Sequence, residues 1–333
     1  MELHYFLTTN GSMGRTSFLE AELAGYRDII RLEGYPRSLA AKLVRECYAE
    51  AKKHTLDIEV IHNALDNSPE GILFPGLGTG LINMPLYDVN FGLPALFVNE
   101  SLAQYHRHMQ KAYHCFKEAL AIHDDWETIY KSATDYAALN AITEEIIREL
   151  LTDRKTDYKG HLCDRFFGSA SVNGSIDYID VLSEGQNRYF VKGRPGTGKS
   201  TFMKKLAIEA YERGFHVERY HCSFDPNSLD MVIVRELNLC IFDSTAPHEY
   251  FPTDESDEVI DLYEAAVAQD TDTVNEKAIK KISRMYKDAI GKALKHLIVA
   301  NDAALAADEE NLKQIENDRV MLVLCEIFSR IFP

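Results

Sequence analysis

The chain has 333 residues, of which 46% are hydrophobic and 26% are charged, a balance typical of a folded globular protein and not of a disordered or fibrous one. Its formal net charge of −16 argues against a nucleic-acid backbone or an anionic membrane as the main partner. The six cysteines include no C-x-x-C pair, and neither a signal peptide nor a membrane-length apolar run is present, so we expect two domains of a cytoplasmic protein.

Long helices are predicted in two stretches, residues 102–151 and residues 257–331, where apolar residues recur at helical spacing. We expect these helices to cover a sheet or to pair as an antiparallel hairpin, with lids or arms that bind a partner protein as the alternative. Residues 123–126, His-Asp-Asp-Trp, lie between helical runs and suggest a metal cluster only weakly, because consecutive residues on a helix do not converge on one point.

The most specific motif of the chain is a nine-residue segment that fits the phosphate-binding pattern G-x-x-x-x-G-K-[ST]. It follows a short β-prone run at residues 189–191 and precedes a predicted helix. Glycines let backbone N–H groups wrap a polyphosphate, Lys199 places a cation near the β and γ phosphates, and Ser200 offers a hydroxyl to Mg²⁺. The predicted phosphate-binding residues are Gly193, Arg194, Pro195, Gly196, Thr197, Gly198, Lys199, Ser200 and Thr201.

A carboxylate for the metal is predicted further along the chain. After a strand at residues 216–222, a mostly apolar strand at residues 237–242 ends in Asp243. A carboxylate at the C-terminal end of a buried strand lies at the same sheet edge as the phosphate loop. We therefore predict that Ser200 and Asp243 bind Mg²⁺; the alternative for Asp243 is a solvated aspartate that opens a turn.

The catalytic base has several candidates. ATPases that drive motion usually have a glutamate directly after the metal-binding aspartate to activate water, and Ser244 stands at that position here. Asp225, after the preceding strand, could accept the proton, or it could cap a following helix. His248 and Glu249 lie close in sequence, and a structural role is favoured for His248. The predicted catalytic residues are Lys199, Asp243 and Asp225.

A shift of 159 residues aligns two segments of the chain, which indicates an internal repeat. The identical pairs are Gly34 with Gly193, Pro36 with Pro195, Glu50 with Glu209, Ala51 with Ala210, Glu59 with Glu218, His62 with His221, and Asp66 with Asp225. After a slip of one residue Asn83 falls on Asp243, and further out residues 10–12 resemble residues 173–175. The chain therefore reads as two units of one α/β type.

The first unit lacks the chemistry of the second. Leu39, Ala40 and Ala41 stand where the second unit has the glycine, lysine and serine of its phosphate loop, and Asn83 stands in place of Asp243. Without the lysine, the hydroxyl and the carboxylate, the first unit is not expected to bind Mg-nucleotide tightly. We expect it to serve as a packing partner or a regulatory surface.

The predicted fold class is α/β, with two P-loop NTPase-like three-layer α/β/α units that have mainly parallel sheets and are each followed by long helical segments. The degenerate P-loop-like domain is predicted at residues 1–155, with a helical extension at about 95–151. The active P-loop domain is predicted at residues 156–333, with a helical extension at about 257–333.

These motifs resemble those of bacterial tandem P-loop ATPases, in which two similar P-loop domains lie in one chain. The resemblance rests on residues 123–126, 173–175, 188–192 with the following loop, 220–230 and 243–252. Relatives usually keep a phosphate loop in both halves, so this chain departs from the pattern in its first unit. The resemblance implies ATP binding and hydrolysis, and it supplies no substrate.

The sequence is compatible with three functions. A Mg-dependent ATPase that acts as a nucleotide-driven switch is favoured by the tandem architecture and by the long helices, which are candidate surfaces for a protein partner. A small-molecule or nucleotide kinase, with the acceptor between Asp225 and the helical segment, is favoured by the missing glutamate. A module that binds ATP without hydrolysing it is the third. No N/T-K-x-D stretch that would read guanine appears, so ATP is expected rather than GTP.

Overall fold

The computed structural model of the chain describes residues 1–84, 100–246, 248–313, 315 and 317–332. Residues 1–155 are called the first half below and the remainder the second half. The first half contains β1 (Glu2–Tyr5), β2 (Thr8–Gly11), β3 (Gly14–Ser17), α1 (Leu19–Leu23), β4 (Asp28–Glu33), α2 (Arg37–Ala51), β5 (Ile58–His62), β6 (Pro69–Phe74), β7 (Thr79–Met84), α3 (Glu100–Lys131) and α4 (Tyr136–Leu151). The second half contains β8 (His161–Arg165), β9 (Gly168–Ser171), β10 (Gly174–Asp177), α5 (Ile179–Leu182), β11 (Asn187–Lys192), α6 (Lys199–Glu212), β12 (His216–His221), β13 (Leu229–Val234), β14 (Leu239–Asp243), β15 (Glu258–Asp261), α7 (Leu262–Ala266), α8 (Thr271–Val274), α9 (Glu276–Leu312) and α10 (Asn317–Ile331).

Each half builds one large sheet and one small hairpin. The first sheet has the order β1-β5-β6-β7-β4, and among its described strands only β6 runs against the others. The second sheet has the order β15-β11-β14-β13-β12-β8, and there β13 is the described strand that runs against its neighbours. The hairpins are β2–β3 and β9–β10. The predicted mixed α/β class with parallel strands is confirmed.

Both faces of each sheet are apolar, so each sheet must be covered on two sides. In the first sheet Val60 lies on the outer face and its neighbour Ile61 on the inner face, as strand alternation requires. The outer face packs against Leu43 of α2 and Ile327 of α10. The first sheet is therefore covered by one helix of its own half and by one helix of the second half.

The second sheet is covered in the reciprocal way. Its outer face packs against Phe202 of α6 and Ile147 of α4. The inner faces of the two sheets share one apolar core with α1 and α5, to which Tyr5 and Phe190 belong. Each sheet thus has long helices on one face and the shared core, with α1 and α5, on the other, because each half buries its second apolar face against the other half.

The long helices also pair across the halves. Met109 and Phe116 of α3 pack with Leu297 and Ala300 of α9, so α3 lies along α9 and not against α4. The helical predictions are confirmed for α3, α4, α9 and α10. Residues 123–126 lie inside α3 and not between helical runs.

One part of the predicted second helical stretch is wrong. Residues 258–261 form the strand β15, which extends the second sheet beside β11. The predicted start of the first helical extension, at about residue 95, lies outside the described residues. In the part of the chain that the structure describes, no helix is both long and apolar enough to cross a membrane.

The order of elements from β1 to β7 recurs from β8 to β14. Where the halves meet, Phe6 and Phe166 exchange two backbone N–H···O bonds of 2.9 Å, the pattern expected around a two-fold axis. Gly14 and Gly174, with φ of 84° and 97°, occupy equivalent turns between hairpin strands. The equivalents of residues 10–12 are therefore residues 170–172, and the predicted match with residues 173–175 is wrong by three residues.

Candidate functional site

The glycine-rich segment forms a tight loop between β11 and α6. Gly196 and Gly198 have φ of 79° and 87°, in the left-handed region that favours glycine, and α6 begins at Lys199. The Thr197 hydroxyl donates to Arg194 O at 2.8 Å and accepts from Arg194 N at 3.2 Å. Because Thr197 is 1% exposed, these bonds close the loop on itself from within.

Helices of the first half cover this loop. A Cβ at Gly196 would lie 2.9 Å from the carbonyl oxygen of Glu127 in α3, and a Cβ at Gly198 would lie 2.8 Å from Leu139 Cδ2 in α4. Both glycines are thus required by close packing as well as by φ. Nothing in the sequence motif signals these contacts, because they come from a segment more than 50 residues away.

Lys199 and Asp243 meet at the end of two neighbouring parallel strands. Val191 of β11 is the register partner of Asp243 in β14, and Lys199 Nζ lies 3.6 Å from Asp243 Oδ2. Lys199 Nζ also donates to Arg194 O at 3.0 Å, and Thr245 Oγ1 donates to Asp243 Oδ1 at 2.6 Å. The structure therefore brings together the cation and the carboxylate that the sequence singled out.

The other predicted metal ligand, Ser200, follows Lys199 in the first turn of α6. Its Oγ accepts a hydrogen bond of 2.9 Å from Leu229 N, at the start of β13. This bond ties the helix N-terminus to the strand next to β14 and leaves the hydroxyl hydrogen of Ser200 for another acceptor.

Asp230 is a further carboxylate of the site that the sequence analysis missed. It lies in β13, next to β14, and lines the same cavity as Lys199 and Asp243. Burial raises the pKa of Asp230 to about 6, and the negative charge of Asp243 acts in the same direction. The available signal was a single carboxylate inside an otherwise apolar strand, Leu229–Val234.

Asp225 lies in the segment that joins β12 to β13 and also lines the cavity. Its Oδ1 accepts from Asn227 N at 3.2 Å and its Oδ2 from Ser228 Oγ at 3.0 Å. It caps a turn that leads into a strand, and not a helix as considered from the sequence. His248 Nδ1 donates to the Asp177 carboxylate at 2.7 Å, a contact that anchors the histidine ring.

The cavity around the loop measures about 1440 Å³, which exceeds the 300–1,000 Å³ typical of a site for one small ligand. Its lining includes the glycine loop, Asp225, Asp230 and Asp243. Helices α3 and α9 contribute both polar and apolar side chains to it. The polar ones are His123, Asp124, Glu127 and Lys131, and the apolar and aromatic ones are Phe116, Leu120, Trp126, Tyr286, Ile290 and Leu294.

The equivalent place in the first half is filled by protein. Only residues 34–36 separate β4 from α2, and α2 begins at Arg37, which is 3% exposed. Arg37 N donates to Asp308 Oδ2 of α9 at 2.9 Å, and Arg37 Nη2 donates to Asn301 Oδ1 at 2.8 Å. Ala40, which aligns with Lys199, is fully buried in the core.

Among the described residues, no group of three or more His, Cys, Asp and Glu side chains is arranged to hold a metal ion, and residues 123–126 form no such cluster. Mg²⁺ at phosphate-transfer sites needs fewer protein ligands, because one or two side chains act with the phosphates of the substrate. No family model, no curated protein and no solved structure matches this chain.

Proposed function

We propose that the second half binds Mg-ATP at residues 193–201, hydrolyses it and acts as a nucleotide-driven switch, in the manner of the P-loop ATPases that the motifs resemble. One observation carries the proposal: two left-handed glycines lead directly into α6, whose first residue, Lys199, lies 3.6 Å from Asp243 at the end of the neighbouring strand. A helix N-terminus with a lysine favours a polyphosphate, and an adjacent carboxylate favours its metal ion.

The oxygen donors next to the loop suit Mg²⁺. The Ser200 hydroxyl and the carboxylates of Asp243 and Asp230 are hard oxygen ligands, and both aspartates line the cavity. The ion would neutralise negative charge on the β and γ phosphates. Lys199, close to Asp243, would contribute a second cation on the protein side.

Hydrolysis requires a proton acceptor near the γ phosphate. A bond forms between a water oxygen and the γ phosphorus, the bond from that phosphorus to the bridging oxygen breaks, and ADP leaves with the bridging oxygen. Asp225 is our candidate to take the proton of the water, because its carboxylate lines the same cavity as Lys199 and Asp243.

The switch role is supported by what covers the loop. The Glu127 carbonyl of α3 lies against Gly196, and α3 packs along α9. A nucleotide that reorganises the loop therefore acts directly on a helix pair that spans both halves. A partner protein that binds the exposed side of α3 and α9 would then respond to whether ATP or ADP is bound.

A kinase is the second candidate, favoured by the size of the cavity. Its volume of about 1440 Å³ leaves space beyond a nucleotide, and that space is bounded by Phe116, Tyr286 and Leu294. An acceptor with a hydroxyl group near Asp225 and an apolar body against α3 and α9 fits this wall. Phosphate release that depends on an added acceptor would favour the kinase, and binding without turnover would favour a non-hydrolysing module.

The decisive first test is a titration with Mg-ATP that follows the fluorescence of Trp126, the single tryptophan of the chain, which lines the cavity. Lys199→Ala should weaken binding by about tenfold to a hundredfold, because a charge-assisted hydrogen bond contributes about 1.5–3 kcal/mol. Lys205→Ala is the matched control, since Lys205 lies on the same helix and donates to Asn140 at 2.9 Å outside the loop. Unchanged affinity in Lys199→Ala would contradict the site.

A further inference from the structure

The hairpin β2–β3 of the first half contacts residues 222–228 of the second half, the segment that carries Asp225. Thr9 Oγ1 donates to Ser223 O at 3.0 Å. Ser12 donates twice to Phe224 O, from its backbone N at 2.9 Å and from its Oγ at 2.8 Å. Three donors from the first half thus hold the two carbonyl groups that immediately precede Asp225.

The backbone of the hairpin lies directly against this segment. A Cβ at Gly11 would be 2.5 Å from Ser223 O and 2.7 Å from Phe224 O, so there is no room for a methyl group. The hairpin is itself fixed to α3, because Tyr113 OH donates to Asn10 Oδ1 at 2.9 Å. The hairpin thus contacts the segment closely on one side and is hydrogen-bonded to α3 on the other, which suits it to hold the segment in place.

Aromatic rings hold the other side of the segment. The Phe224 ring lies 5.7 Å from the Tyr286 ring of α9 at an interplanar angle of 90°, and 6.3 Å from the rings of Phe116 and His123 in α3. Edge-to-face pairs at these distances are favourable. The residue before Asp225 is thereby fixed through both its carbonyl group and its side chain.

The same contact occurs once more with the halves exchanged. Ser169 Oγ of the hairpin β9–β10 donates to Ala64 O at 3.0 Å, and Val172 N donates to Leu65 O at 2.9 Å. This related segment lies in the first half, and the molecule thus contains a matched pair of hairpin contacts. The contact made by β2–β3 holds the segment that carries Asp225, and the contact made by β9–β10 holds the segment that carries Asp66.

Asp66 is the first-half equivalent of Asp225, and it forms an ion pair within its own half. Its Oδ2 lies 3.1 Å from Nη1 of Arg37, the first residue of α2. Arg37 aligns with Gly196, which has no side chain. The carboxylate that an arginine neutralises in the first half therefore borders the open cavity in the second.

We propose that Thr9, Gly11 and Ser12 are positioning residues that hold Asp225 for the chemistry at the phosphate loop of the second half. The inference rests on the proposed function. It gives the half without a phosphate loop a direct part in turnover: as the water oxygen bonds to the γ phosphorus and the bridging oxygen leaves with ADP, the proton passes to an Asp225 carboxylate that the first half has fixed.

The test compares Thr9→Val and Ser12→Ala with Ser169→Ala, which deletes the equivalent bond on the other side. Mg-ATP affinity is measured by Trp126 fluorescence and turnover by phosphate release. All three variants should bind Mg-ATP within about threefold of the unchanged chain. Thr9→Val and Ser12→Ala should lower kcat by about tenfold to a hundredfold, as expected for a misplaced catalytic group, and Ser169→Ala should leave kcat unchanged.

The outcomes separate the two proposals. A chain that binds no Mg-ATP overturns the proposed function and, with it, this inference. A chain that binds Mg-ATP without turnover overturns the hydrolysis in the proposed function, and this inference with it. A chain that turns over Mg-ATP, but in which Ser12→Ala and Thr9→Val are as active as Ser169→Ala, overturns the positioning inference alone. An equal loss of kcat in all three variants also overturns it, because the hairpins would then act only on stability.

Discussion

The two halves begin the same helix in different ways. In the second half six residues, 193–198, separate β11 from α6, and two of them are left-handed glycines. In the first half three residues, 34–36, separate β4 from α2, so that α2 starts about one turn earlier relative to the repeat. A phosphate loop and a packed helix end are thus alternatives at one position of the same fold.

What differs is the source of the anion at the helix N-terminus. The free N–H groups and the dipole of a helix start favour negative charge. In α2 the Asp308 carboxylate, from α9, accepts from the first N–H group and lies 3.9 Å from Arg37 Nε. Among the described contacts of α6, no carboxylate accepts a hydrogen bond from the backbone N–H group of Gly198 or Lys199, and we propose that a polyphosphate takes that place.

The largest expected effect tests the internal anion. Arg37→Ala should lower the free energy of unfolding by about 3–5 kcal/mol, because Asp308 and Asp66 would remain buried or half-buried without their cation. Arg194→Ala, in the loop of the second half, should cost less than about 1 kcal/mol, since its ion pair with Asp272 is exposed. Urea unfolding of both variants measures the difference, and equal losses would contradict the contrast between the halves.

A second expected effect concerns the equivalent histidines of the halves. His62 Nε2 lies 2.9 Å from His4 Nδ1, whereas His221 Nε2 lies 2.8 Å from the Asp164 carboxylate. Burial lowers the pKa of His62 to about 4, and the charge of His4 acts in the same direction. An unfolded histidine takes up a proton near pH 6.5, so the stability that His62 contributes is complete above pH 6.5 and is lost as the pH falls toward 4.

His62→Gln should remove that part of the acid destabilisation, about 3 kcal/mol between pH 6.5 and pH 4. Chemical unfolding at a series of pH values measures it. His221→Gln is the matched control, and its free energy of unfolding should keep the pH dependence that His62 contributes. A His62→Gln variant with an unchanged slope would show that other groups govern acid unfolding.

The third expected effect compares Asp243 with its equivalent. Asn83 pairs with Leu32 in the register in which Asp243 pairs with Val191. Asp243→Asn should spare much of the nucleotide affinity but lower Mg²⁺-dependent turnover by about a hundredfold, or about 2.7 kcal/mol, because an amide is a poor partner for the metal. Turnover close to that of the unchanged chain would assign the metal to Asp230 instead.

The converse substitution, Asn83→Asp, should create no second binding site. Asn83 is buried, and in the part of the chain that the structure describes neither a glycine loop nor a lysine lies beside it, since Ala40 of α2 is buried in the core. The variant should bind one Mg-ATP per chain, with lower stability from a buried charge. A stoichiometry of two by calorimetry would contradict the account of the first half.

The features that the sequence predicted are local in the chain. The strand before Gly193, the helix from Lys199 and the strand that ends in Asp243 each depend on a short run of residues, and the structure has all three. Helix α4 covers the second sheet and α10 covers the first because of contacts between distant segments. The hydrophobic periodicity of the sequence does not reveal such contacts.

Two further features were missed for physical reasons. Asp230 is assigned no role by the sequence, because its environment arises only when β13 pairs with β14. β15 is a strand of four residues whose pattern also fits a helix turn, and its pairing with β11 decides its structure.

The position of α10, a helix of the second half that covers the first sheet, affects how the chain folds during synthesis. The outer face of the first sheet is covered in part by α10, whose Ile327 and Ile331 are buried against it. When the first sheet leaves the ribosome, the helix that completes its cover has not yet been made. We expect the first sheet to keep part of this apolar face accessible to chaperones until α10, more than two hundred residues further along the chain, has been synthesised and packs against it.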